Sequence, residues 1–178
     1  MKKLFIVALI ALLLVPAAFA QVTAAGAATT AVGAASTVAS SDMGPGLESL
    51  KSDVNEGYTI VSGDTLKGIS AARFGDYRYW PVVYMTNKES IANPERIEPA
   101  TALRIYRLPF NAASPSDISK LLIVETYLQT YARYVELGAD WVGARRWVLL
   151  EATHFSPELF SKFASRIEDS DEAWYKAR

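Results

Sequence analysis

The chain has 178 residues, a formal net charge of −1 at neutral pH and no cysteine. That length gives room for one or two small domains and a spacer. The missing thiols exclude disulfide staples and thiol-based mechanisms, and the mildly acidic balance argues against a nucleic-acid partner, which favours a basic surface.

Met1-Lys2-Lys3 precedes an apolar run over residues 4–15. Pro16 breaks that run, and Ala18-Phe19-Ala20 supplies small residues of the kind a signal peptidase reads. A basic start, a short apolar stretch and an A-x-A end compose a secretory signal peptide over residues 1–20. The run is shorter than the ~20 residues of a spanning helix. The expected protein is therefore exported to the periplasm or cell wall, cut after Ala20, and left without a stable membrane anchor. Cleavage would remove two lysines and no acid, taking the charge from −1 to −3. Residues 21–46 are almost all small and nearly uncharged. They cannot bury enough surface to offset their ordering entropy and read as a flexible linker. Residues 47–57 form a lead-in, with a short helix expected over 47–54.

Tyr58-Thr59-Ile60-Val61 reads as a strand from its aromatic and β-branched content. Gly63 and Asp64 turn the chain, and the Asp64 carboxylate is expected to cap a helix starting at Thr65. Leu66, Ile69 and Phe74 follow at helical spacing, and Gly75 ends the helix as a left-handed cap. A second helix is expected over about residues 79–88, with Trp80, Val83 and Tyr84 on one side and Pro81 in its first turn. A loop over 89–101 leads to a second strand at residues 102–106.

Residues 110–178 read as a separate region of about three helices. Ser114-Pro115-Ser116-Asp117 opens the first, with Pro115 at its first position. A stripe of Ile118, Leu121, Leu122, Leu128, Ala132 and Val135 runs to Leu137, where Gly138 stops it. The second covers 139–154, with Trp141, Ala144, Val148, Ala152 and Phe155 on one face. Ser156-Pro157-Glu158 starts the third, which buries Leu159, Phe160, Phe163 and Ile167. Arg145 and Arg146 are expected in a solvated patch. The aromatic side chains are expected mostly in the core, with some left exposed for docking.

The order Tyr58-x-Ile60-x-x-Gly63-Asp64-Thr65-Leu66, Ile69-Ser70, Trp80, Asn87, Ile91, Asn93-Pro94, Ile97-x-Pro99 and Leu103-x-Ile105 resembles the LysM family. Members are small βααβ modules that bind N-acetylglucosamine glycans such as peptidoglycan and chitin. The resemblance covers residues 58–109 and departs at Ala100, where Gly is frequent. It implies an α+β chain, a βααβ module followed by the helical region. It also implies a shallow sugar groove, with Gly63, Asp64, Thr65 and Leu66 on one side and Ser90, Ile91, Ala92, Asn93 and Pro94 on the other. Each of these residues has a plain structural use as well. Asp64 can cap a helix, Asn93-Pro94 can make a turn, Gly63 can supply a positive φ, and Trp80 can fill the core.

The expected function is non-catalytic binding of cell-wall glycan, with the helices as an interaction module for a protein partner. No cofactor and no metal is implied. His154 is the only histidine, which excludes a multi-His zinc site, and no nucleophile-elbow glycines surround a serine. Its place at an expected helix end reads as capping or surface packing. Glu125 and Glu151 are formal candidates for glycan cleavage, but a glutamate on a helix usually lies on a solvated face, and so small a helical region leaves little room for a deep cleft. Two alternatives remain: an envelope assembly factor that no longer binds glycan, and a minimal wall-lytic enzyme using Glu125 or Glu151.

Overall fold

The computed structural model describes residues 44–178. The expected signal peptide, and the expected linker up to residue 43, lie outside the described residues. The chain is a mixed α+β protein: seven helices and a two-stranded antiparallel sheet among the described residues. The first helix, α1 (Gly44–Glu48), begins inside the stretch expected as linker. It leads to Leu50, which is fully buried and anchors the lead-in.

Strands β1 (Asn55–Thr59) and β2 (Ala102–Tyr106) pair from Asn55↔Tyr106 to Thr59↔Ala102. β2 falls where the sequence places it, whereas β1 starts three residues earlier than expected and ends two earlier. The cause is local. Asp64 Oδ2 accepts the Val61 amide at 2.8 Å, which pulls Val61 into the turn. Ile60 still exchanges bonds with the far side, donating to Thr101 O at 3.0 Å and accepting from Ala100 N at 2.8 Å.

Helix α2 (Leu66–Phe74) buries Leu66 and Ile69. Its cap corrects the expectation: Thr65, not Asp64, is the N-cap, and Thr65 Oγ1 accepts from the Gly68 amide at 3.0 Å. Gly75 closes the helix as expected, with φ 77° and its amide on Ala71 O. A single 3₁₀ turn (Tyr77–Tyr79), capped by Asp76, then feeds α3 (Trp80–Thr86), with Pro81 in the first turn. α3 stops two residues before the expected end because the Asn87 side chain turns back. Its Nδ2 donates to Val83 O and Arg104 O, and its Oδ1 accepts the Arg104 amide, joining the helix end to β2.

The long helix α4 (Asp117–Leu137) is capped by Ser116, two residues later than expected, and Gly138 at φ 96° ends it. Its buried face also differs from the aliphatic stripe. Ile118 is 82% exposed, and Leu121 and Ala132 also face solvent, whereas Ile123, Val124, Tyr127, Leu128, Tyr131 and Tyr134 are buried. A tyrosine can line a core when its hydroxyl finds a partner. Tyr127 Oη donates to Arg78 O at 2.7 Å, Tyr131 Oη to Asp171 Oδ2 at 2.9 Å and Tyr134 Oη to Glu95 Oε1 at 2.6 Å.

A 3₁₀ turn (Ala139–Trp141) leads into α5 (Val142–Ala152), which packs along α4. The expected third helix is two short ones, α6 (Leu159–Lys162) and α7 (Asp169–Lys176), separated by a 3₁₀ turn and an extended Ile167. Tertiary bonds break the helical path. Arg166 pairs with Glu125 at 2.6 Å, and the Glu168 amide donates to Tyr131 Oη at 2.9 Å. Phe163 is only half-buried as a result, while Leu159, Phe160 and Ile167 are buried as expected.

One apolar cluster joins Ile60, Leu66, Trp80, Val83 and Leu103 to Tyr127, Leu128, Leu149 and Leu159. The core therefore continues across residue 110. Trp80 meets Tyr127 edge-on at 6.4 Å, and Tyr79 meets Phe155 at 5.7 Å.

Candidate functional site

The turn between β1 and α2 builds one wall of a small concavity. Gly63 sits at φ 92°, where a side chain is strained, and so permits the turn. The Asp64 carboxylate is engaged inside it, accepting from the Val61 amide and from Tyr58 Oη at 2.7 Å. That hydrogen bond, with partial burial, pushes the Tyr58 phenol above its ordinary pKa. Thr65 Oγ1 is held by the helix cap, and Leu66 is buried.

The loop after α3 builds the facing wall. Ser90 and Ala92 are exposed, and Ile91 points into the core at 3% exposure. Asn93 Oδ1 accepts the Glu95 amide at 2.9 Å, and Asn93 O accepts the Arg96 amide at 3.0 Å, a compact turn with Pro94 buried in it.

Between these walls lies a pocket of about 210 Å³ lined by Asp64, Thr65, Leu66, Lys67, Trp80, Pro94, Glu95 and Ile97. Of the nine residues singled out in the sequence, the structure brings Asp64, Thr65, Leu66 and Pro94 to this pocket. Gly63, Ser90, Ile91, Ala92 and Asn93 do not line it. Lys67, Glu95 and Ile97 flank the selected segments and could have been found by extending each by one helical or loop turn. The pocket is smaller than the ~300 Å³ at which drug-sized ligands begin to be enclosed. It suits one ring-sized group, with Trp80 and Leu66 as apolar surface and Lys67 and Glu95 as charged margins.

The helical region reaches both walls. Trp80 is 4% exposed, and its Nε1 donates to Glu151 Oε2 at 2.8 Å, while Lys67 Nζ lies 2.6 Å from Glu151 Oε1. On the loop side, Arg133 donates from Nε and Nη2 to Ala92 O at 3.2 and 3.0 Å, and Tyr134 Oη donates to Glu95. The Arg96 guanidinium sits 5.6 Å from the Trp141 ring. Burial, followed by the bond to Glu95, holds Tyr134 protonated as a donor far above ordinary phenol pKa.

Several other expectations change here. Glu125 is not on a solvated face: at 3% exposure it is paired with Arg166 and bonded by Gln129. Glu151 is half-buried between Lys67 and Trp80. Arg145 and Arg146 do not form a solvated patch, since both converge on the fully buried Asp171. Arg146 Nε donates to Oδ1 at 2.8 Å, and Arg145 Nε lies 2.6 Å from Oδ2 in ion-pair contact. His154 is exposed with its ring nitrogens against Arg78. Burial and then the Arg78 charge push its pKa down, against the pull of Asp76. Trp147 is 56% exposed, and Arg178 stacks 4.7 Å from the neighbouring Trp174 ring. A larger hollow of about 490 Å³ lies at the end of the sheet, between Arg73, Phe74, Arg107 and Phe110.

No protein-family model matches the chain, and no solved structure matches it. One curated protein is similar over a short stretch: Potassium binding protein Kbp of Escherichia coli O6:H1, 38% identical over 48 residues. The matched stretch is 27% of this chain and 32% of that protein, so the chain spans about a third of the relative's length.

Proposed function

We propose that the chain is a non-catalytic, exported glycan-binding protein of the bacterial envelope. In this reading residues 58–109 are a LysM-type module that takes an N-acetylglucosamine unit of peptidoglycan or a related polymer. The observation that carries the reading is the convergence of the β1–α2 turn and the loop after α3 on one small pocket floored by Trp80. The family resemblance ties those same two segments to sugar binding. The chemistry is suitable. An N-acetyl group offers one amide donor, one carbonyl acceptor and one methyl. Backbone groups at the two turns can meet the polar pair, and Leu66 and Ile97 can receive the methyl. A site for one ring gives modest affinity, roughly 0.1 mM or about −5.5 kcal/mol. A polymeric wall compensates by presenting many such units at once.

The test is co-sedimentation of the full chain with purified peptidoglycan, with soluble N-acetylglucosamine oligomers as competitor. The chain should pellet, the oligomers should release it, and Ile97→Glu, which sets a charge in the pocket, should abolish pelleting. Pelleting that neither the oligomers nor Ile97→Glu reduces would sink the reading.

The match to a potassium-binding protein raises a second reading, that residues in the shared stretch bind a monovalent cation. Calorimetric titration with KCl against NaCl decides it: heat and thermal stabilisation specific to potassium support it, and identical curves remove it.

A further inference from the structure

We infer that Arg133, Tyr134 and Glu151, all outside residues 58–109, are positioning residues of the pocket, and that the helical region is its brace. The inference takes the binding pocket from the reading above but stands on contacts that exist without any ligand. Each wall is tethered separately. On the loop wall, the Arg133 guanidinium forks onto Ala92 O, and Tyr134 Oη donates to Glu95 at 2.6 Å. On the helix wall, the two Glu151 oxygens divide between Lys67 Nζ and Trp80 Nε1. Ile91 and Pro94 anchor the loop in the core, but Glu95 and Arg96 beyond them are exposed, and the bonds that close this part of the loop on itself are the two at Asn93. An exposed segment with few bonds of its own opens easily unless something outside it holds it closed. The floor depends on the same region, because a buried indole N–H without an acceptor is costly and Glu151 is its acceptor. Fixing side chains and loop in the binding geometry beforehand removes ordering cost from the binding step. The helices are thus joined to the function of the pocket, over and above any partner they meet.

Hydrogen exchange on the full chain tests this directly. In Arg133→Ala/Tyr134→Phe, the Glu95 and Arg96 amides should exchange at least about tenfold faster, while the Ile69 and Gly75 amides of α2 keep their rates. In Glu151→Ala, the Trp80 indole N–H should exchange at least about tenfold faster. Glu151→Gln, which keeps an acceptor oxygen, should restore it. Binding of an N-acetylglucosamine pentamer should weaken about fivefold or more in the double variant and in Glu151→Ala, and be near normal in Glu151→Gln. Unchanged exchange at Glu95, Arg96 and the indole would overturn the brace. So would a uniform loss of protection that includes α2, because the residues would then hold the whole fold. Undiminished pentamer binding by a chain with a loosened loop overturns it too. A wild-type chain that fails to bind the pentamer, with the exchange pattern as expected, removes the glycan reading and leaves the brace supported.

Discussion

Asp171→Asn should destabilise the protein more than any other single-charge change in the helical region. Asp171 is fully buried at α7, yet it accepts from Arg146 and Tyr131 and lies against Arg145. Removing one partner of a buried ion pair typically costs about 3–5 kcal/mol, since the other charge stays buried and unpaired. Two features reduce that figure. The Arg145 and Arg146 side chains are 12% and 26% exposed and can turn toward water, and asparagine keeps one acceptor oxygen. The remaining cost is about 2–3 kcal/mol. With a urea slope of about 1.5 kcal/mol/M, the unfolding midpoint should fall by roughly 1.3–2 M at pH 7. The pH dependence carries a second signature. Burial alone would raise the Asp171 carboxyl, but the contacts from Arg146, Arg145 and Tyr131 together outweigh it and hold the pKa below the usual range. The same site pushes Tyr131 up to about 12, chiefly by burial, so it remains a donor. With its folded pKa below the unfolded value of about 3.9, the carboxylate stabilises fully above that value. That stability is lost as pH falls through the folded pKa. The gap between wild type and Asp171→Asn should therefore be level from pH 5 to 7 and close in stronger acid. A midpoint within about 0.3 M of wild type at pH 7, or a gap that widens in acid, would refute the reasoning.

Asn87→Ala should cost roughly 2–4 kcal/mol, because it leaves the Arg104 amide and carbonyl without their partner at a position 8% exposed. Faster exchange of the Arg104 amide, together with a lowered urea midpoint, checks it. Ala100→Gly should stabilise by about 0.5 kcal/mol, since Ala100 holds a φ of 68° that only glycine adopts without strain. Calorimetry should show Tm higher by about 2 °C, and a lower Tm contradicts the strain argument. Gly63→Ala at φ 92° should cost about 1–2 kcal/mol through the backbone alone, as no atom lies within 4 Å of the added carbon. Thermal melts measure it, and a neutral result would show that the turn relaxes.

What was legible in the sequence was local. Gly75 and Gly138 announce helix ends because a positive φ excludes most residues, and the chain adopts one at both. The β2 boundaries follow from five residues flanked by turns. The pocket was half legible: the Asp64–Leu66 turn and Pro94 came from motif order, but Gly63 and four of the five loop residues, Ser90 to Asn93, do not line it. The misses have two causes, one local and one distant. Asp64 lost the cap to Thr65 because Tyr58 and the Val61 amide compete for its carboxylate, and the α4 stripe misled because tyrosine hydroxyls found distant partners. Glu125, Glu151, Arg145 and Arg146 read as solvated because an isolated helix shows no partner. Their partners lie far along the chain, Arg166 41 residues from Glu125 and Lys67 84 residues from Glu151. No window of sequence contains such a pair.

The same distant pairs explain why the small sheet can exist as part of this body. Two strands of five residues and two short helices lie near the lower limit of what folds without staples, and the chain has no cysteine to supply one. α4 supplies the missing surface. Tyr127 and Leu128 extend the core beneath Trp80, and Tyr127 Oη ties the 3₁₀ turn at Arg78 to the long helix. If the sheet, α2 and α3 depend on α4 for their core, the pocket cannot be stiffer than the helices behind it. A substitution deep in α4 or α5 should then loosen the groove before the whole molecule unfolds. Its effect on any ligand should exceed its effect on global stability only when it touches Arg133, Tyr134 or Glu151.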